Sequence, residues 1–68
     1  MLFYVALWRD EDGQVIAECP EIPGCVSQGA DEDQAMNNIR AAIAECLEVR
    51  RQLGQPLTIE IRQVEVNV

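Results

Sequence analysis

The chain has no histidine and no lysine, and its only cations are five arginines set against twelve acids. These absences remove whole classes of chemistry. A Ser-His-Asp or Cys-His nucleophile cannot be built. A Walker lysine, a lysine Schiff base and a histidine-based zinc site are excluded as well. The formal charge of −7 argues against a nucleic-acid surface, because phosphate contacts need clustered cations. It leaves either a basic protein partner or plain solubility as the meaning of the acidity. No run approaches the ~18 apolar residues of a membrane span. The N-terminus MLFYVALWRDED has no basic start and no small-residue cleavage site, so it reads as a strand and not as a signal peptide.

Cysteine is sparse and odd in number: Cys19, Cys25 and Cys46, with no CxxC pair. Neither a disulfide framework nor a zinc ribbon fits. Reduced, semi-buried thiols in a cytoplasmic protein are the expectation. With 68 residues there is room for one domain, 1–68, and little room for a core. A domain of that size buries only about 60% of its unfolded surface, so self-association is a natural source of further stability.

Leu2 to Arg9 is rich in strand formers, with Phe3, Val5 and Leu7 on one face and Leu2, Tyr4, Ala6 and Trp8 on the other. Both faces are apolar, so this strand is either central or covered on its second face by something outside the fold. Asp10-Glu11-Asp12-Gly13 signals a hairpin turn. Gln14 to Cys19 returns as a second strand, with Val15, Ala17 and Cys19 facing one way. Pro20-Glu21-Ile22-Pro23-Gly24 cannot lie inside a central strand and reads as a shaped loop. Cys25 to Gln28 forms a short third strand ended by Gly29.

Asp31 is the expected helix N-cap, with Gln34 at the capping-box position and Glu32 and Asp33 favourable for the dipole. One apolar stripe follows: Ala35, Ile39, Ala42, Ile43, Cys46, Val49 and Leu53, with Met36 and Leu47 at its margin. Arg50 falls inside the stripe, so its head either snorkels outward or meets a carboxylate. Gly54 and Pro56 stop the helix. Leu57 to Val68 alternates as a last strand, but the phase slips at Gln63, so that Val64, Val66 and Val68 fall out of register. Either Arg62-Gln63 is a bulge or the tail pairs elsewhere. The expected fold is α+β: a three-stranded antiparallel meander, one helix, then a further strand.

Candidate chemistry is thin. Asp10, Glu11 and Asp12 form either a cation or docking patch or a merely solvated turn, and they lack calcium-loop spacing. Glu18 and Glu60 are the plausible strand acids for a metal-dependent nuclease, with nothing to show that they converge. Cys25 beside Gly24 has no neighbouring base to activate it. No catalytic residue, metal ligand or cofactor site is expected. Tyr4 and Trp8 share one strand face, which suits burial at a core or subunit interface better than ligand stacking.

The apolar first strand with Tyr4, the acidic turn Asp10 to Gly13, and Pro20-Glu21-Ile22-Pro23-Gly24-Cys25 form a combination. It continues through Ser27, Gly29 and the helix residues Ala35, Ile39, Ala42 and Ile43. Together these resemble the HicB antitoxin family over about three-quarters of the chain. The resemblance implies a partial RNase-H-like fold and a partner, a small basic HicA-type toxin that cleaves RNA. A HicB-like domain binds that toxin and neutralises it without being an enzyme itself, and an acidic surface suits the task. Two features depart from the family. Asp31 stands where Thr or Ser is common, and no DNA-binding domain follows, so no direct nucleic-acid binding is expected. Asp10, Glu11, Asp12 and Glu21 are the expected toxin-binding acids. Tyr4, Trp8, Val64, Val66 and Val68 are the expected interface of a homo-oligomer, a dimer or a tetramer of dimers. The alternative is a stand-alone homo-oligomeric HicB-like module with no toxin.

Overall fold

The computed structural model describes all residues, Met1–Val68. Three strands, β1 (Ala6–Arg9), β2 (Val15–Glu18) and β3 (Val26–Gly29), precede a single helix, α1 (Glu32–Leu53). The sheet is an antiparallel meander in the order β1-β2-β3. The helix lies across one face of it. Val15, Ala17, Cys19, Ile22, Cys25, Ala35 and Ile39 form the buried core. Phe3, Val5, Met36, Ala42, Ile43, Cys46 and Leu47 pack around it, so the stripe expected of the helix faces the sheet as far as Leu47, whereas Val49 and Leu53, also expected in it, are exposed.

The strands are shorter than their apolar runs. β1 begins at Ala6, not Leu2, because its partner runs out: Ala6 pairs with Glu18, and beyond it Cys19 donates its N–H to Cys25 and Pro20 has none to give. β1 is an edge strand, not a central one. At its other end the hairpin closes through Asp10, whose Oδ1 accepts from the N–H groups of Asp12 and Gln14, both at 2.9 Å. Gly13 supplies the positive φ of +82° that this turn requires.

The Pro20–Gly24 loop is a core element. The Ile22 N–H donates to the Cys19 carbonyl and the Cys25 N–H to that of Ile22, folding the loop into two successive turns. This drives Ile22 into the interior, where it is 0% exposed.

The helix ends follow their sequence signals. Asp31 Oδ1 accepts from the Gln34 N–H at 2.8 Å, and Gln34 Oε1 accepts in return from Ala30, one residue before the cap. Gly54 closes the helix at φ 70°, with Gln55 N–H to the Arg50 carbonyl and Gly54 N–H to that of Arg51, a Schellman arrangement. Arg50 meets no carboxylate. Its guanidinium donates to the carbonyls of Pro23 and Pro56, both at 3.2 Å, and ties the loop and the post-helix turn to α1.

The expected last strand, Leu57 to Val68, is not formed. Its one backbone hydrogen bond is from Ile59 N–H to the Glu21 carbonyl, at 2.8 Å. Every residue of it but Thr58 is exposed. The alternation of apolar residues is real, but no strand edge of the same chain lies alongside to satisfy its backbone.

Candidate functional site

Four acids were expected to meet a partner, and the structure divides them. The hairpin turn holds Asp10, Glu11 and Asp12 at one end of β2, and the loop holds Glu21 at the other. The four residues of β2, about 13 Å of strand, lie between the two groups. They also differ in freedom. The Asp10 carboxylate is committed to the turn, and Glu21 Oε1 accepts from the Tyr4 N–H at 3.3 Å, satisfying a backbone group that β2 cannot reach. Glu11 and Asp12 are exposed and make no ion pair.

The expected interface residues are divided too. Tyr4 is 84% exposed beside the loop, with Leu2, Pro20, Glu21, Ile61 and Gln63 around a shallow groove of about 430 Å³. Val64, Val66 and Val68 continue from it into solvent. Trp8 stands apart on the sheet face opposite α1, in a cross-strand row with Ile16 and Gln28. The next row is Ala6, Glu18 and Val26. This face combines apolar surface with one half-buried carboxylate, Glu18, which has no ion-pair partner. Ile16 and Val26 were not anticipated here. The available signal was that their alternation places them with Trp8, away from Val15 and Ala17.

A larger groove, about 530 Å³, runs between the N-terminal segment and α1. Leu2, Phe3 and Val5 line one wall, Met36, Ile43 and Leu47 the other, and Arg40 is its one charged residue. It borders the unpaired segment before β1, so both backbone and apolar side chains are open there.

The thiols are positioned for packing. Burial pushes the Cys25 thiol up to about 12, and the neighbouring Cys46 thiol reinforces the shift. Burial also raises Cys19, partly offset by the backbone N–H groups of Glu21 and Ile22. Raised thiols are poor nucleophiles. Glu18 and Glu60 do not converge: Glu18 lies on the sheet face, and Glu60 pairs with Arg62 at 2.8 Å on the tail. Nowhere do three carboxylate or thiol groups gather as metal ligands. No helix is long and apolar enough to cross a membrane.

No family model and no solved structure was found to match the chain significantly. Curated relatives do match. A UPF0150 protein of Archaeoglobus fulgidus is 33% identical over 66 residues, covering 97% of this chain and 96% of the relative. A UPF0150 protein of Synechocystis sp. is 52% identical over 46 residues, covering 68% and 67%. One of Thermoplasma acidophilum is 38% identical over 48 residues, covering 71% and 70%. Similarity over nearly the full length of the first, and over two-thirds or more of the others, places the chain in the UPF0150 family.

Proposed function

We propose that this chain is a HicB-like antitoxin domain, a cytoplasmic, non-enzymatic protein that binds and neutralises a small basic HicA-type RNase toxin. The observation that carries the reading is a three-stranded meander closed on one face by one helix, with its other face and its acidic turn open. That open surface belongs to a chain of charge −7 whose thiols are unactivated. Such a surface is built to attract and cover a cationic protein. The finer fold, partial RNase-H-like with a fourth strand, is completed in this reading when Leu57 to Val68 pairs with another copy as a homo-oligomer. The exposed Val64, Val66 and Val68 and the single tail hydrogen bond support it.

The test is an RNA-cleavage assay. A HicA-type toxin is incubated with RNA, and this protein is added stepwise. The expected result is stoichiometric loss of cleavage, with no cleavage by this protein alone in magnesium or manganese. Undiminished cleavage at excess protein overturns the toxin reading. A stand-alone homo-oligomeric module is the second reading, favoured by the same open tail. Analytical ultracentrifugation of the full chain and of a chain truncated after Arg62 addresses it. A full-length monomer at micromolar concentration refutes self-association altogether.

A further inference from the structure

The sheet face opposite α1 carries an unusual balance of groups. Trp8 is 45% and Val26 51% exposed, so about half of each is left open to solvent. Glu18 lies in the row next to Trp8, one strand across and two residues along. Side chains so related in an antiparallel pair are roughly 7–8 Å apart, within common reach of one long side chain. No cation of this chain shares the face. Arg9 alternates to the other side and donates to the Gly13 carbonyl, Arg40, Arg50 and Arg51 are on α1, and Arg62 is held by Glu60 on the tail. The exposed Glu11 and Asp12 lie in the turn just beyond Trp8.

We propose that this face is the toxin-docking surface, and that it takes an arginine of the basic partner stacked on the Trp8 indole and paired with Glu18. The inference rests on the toxin-binding reading and names its surface. Guanidinium is the group that meets both demands at once: it stacks flat on an indole and donates laterally to a carboxylate. Ala6, Ile16 and Val26 supply the apolar floor that excludes water around the pair, the arrangement in which aromatic and charged anchors dominate binding. Charge decides against symmetric pairing of this face with the same face of a second copy. Such pairing would bring a second Glu18 and no cation, leaving carboxylates buried without partners, which is strongly unfavourable. Trp8 is thereby separated from Tyr4 and the tail valines, which remain at the opposite end for self-association.

The test measures toxin affinity by calorimetry for the wild-type chain, Trp8→Ala, Trp8→Phe, Glu18→Gln and the double variant Glu11→Gln/Asp12→Asn. Sedimentation of each variant without toxin and its circular dichroism complete the set. Trp8 is the only tryptophan and is half exposed, so its replacement leaves the core intact. The expected results are at least a tenfold loss for Trp8→Ala, a smaller loss for Trp8→Phe, and a tenfold loss with weaker salt dependence for Glu18→Gln. Unchanged oligomer size is expected throughout, and the turn variant should change the affinity by less than tenfold. Wild-type affinity in both Trp8→Ala and Glu18→Gln overturns the surface and leaves the toxin reading standing. A smaller oligomer in Trp8→Ala overturns it in favour of a contact between copies. Absence of toxin binding by the wild-type chain removes both the toxin reading and this surface.

Discussion

Replacing Gly29 by alanine tests how tightly the helix is seated on the sheet. Gly29 is the last residue of β3, buried, and opposite Val15. A Cβ added there would lie 2.5 Å from the Ala35 nitrogen, 2.6 Å from Gln34 Cβ and 2.8 Å from the Gln34 carbonyl carbon. Two of these three atoms are backbone of the first turn of α1, so no rotamer change relieves the clash. Ordinary contact begins near 3.4 Å, so the start of the helix would have to retreat by about 1 Å. That retreat loosens Ala35 and Ile39, which are 0% and 1% exposed. Overpacking of this kind costs about 1–3 kcal/mol, and the rigid neighbours place Gly29→Ala at the upper end. The lower entropy of alanine in the unfolded chain returns about 0.5–1 kcal/mol, for a net loss of about 2 kcal/mol. A domain of this length has a total stability of about 3–10 kcal/mol. With a urea slope of about 1 kcal/mol per molar, the midpoint falls by about 2 M. The assay is urea unfolding followed by circular dichroism, at fixed protein concentration because self-association would raise apparent stability. Gly13→Ala is the control. Gly13 has nothing within 4 Å of the added Cβ, but its φ is +82°, so its cost is backbone strain alone, about 1–2 kcal/mol. A Gly29→Ala midpoint within 0.5 M of wild type would refute the steric reasoning. Failure of the variant to fold would place the cost above the whole stability, in the predicted direction.

Ile22→Ala empties the plug that the loop drives into the core. It should cost about 2–5 kcal/mol, read as a lowered thermal or urea midpoint, whereas loss of an ordinary surface-loop residue would cost under 0.5 kcal/mol. The raised Cys25 thiol makes stability pH-dependent on the alkaline side. Below pH 9 the thiol is protonated in both states and the folded chain keeps its full stability. From pH 9 toward about 12 the unfolded chain ionises first, so stability falls as pH rises, at up to about 1.4 kcal/mol per pH unit. Urea midpoints at pH 7.5 and 10.5 should show that fall, and Cys25→Ala should show less of it. An equal fall in both proteins would assign it to other groups.

Much of the fold was legible in the sequence because the signals were local. The hairpin rests on Asp10 and Gly13, the helix start on Asp31 and Gln34, and its end on Gly54, and each of those residues satisfies backbone groups within a few positions of itself. The helical stripe was equally plain as far as Leu47, since a 3.6-residue period depends on no distant partner, but Val49 and Leu53 continue the period and stay exposed. What the tertiary structure decided was every question of partnership. The apolar run from Leu2 became a strand only from Ala6, because Pro20 ends the pairing of its neighbour. Leu57 to Val68 has a strand's alternation but no strand beside it, because alternation describes side chains and a ladder needs a second backbone. Ile22 reads as one apolar residue between two prolines, and only the pair of turns reveals it as core. The candidate site was the least legible part. Asp10 and Glu21 look like free acids in the sequence but are held by backbone N–H groups. Glu18, plain in the sequence, acquires meaning only when the β1–β2 register sets it beside Trp8 on a face that the single helix cannot reach.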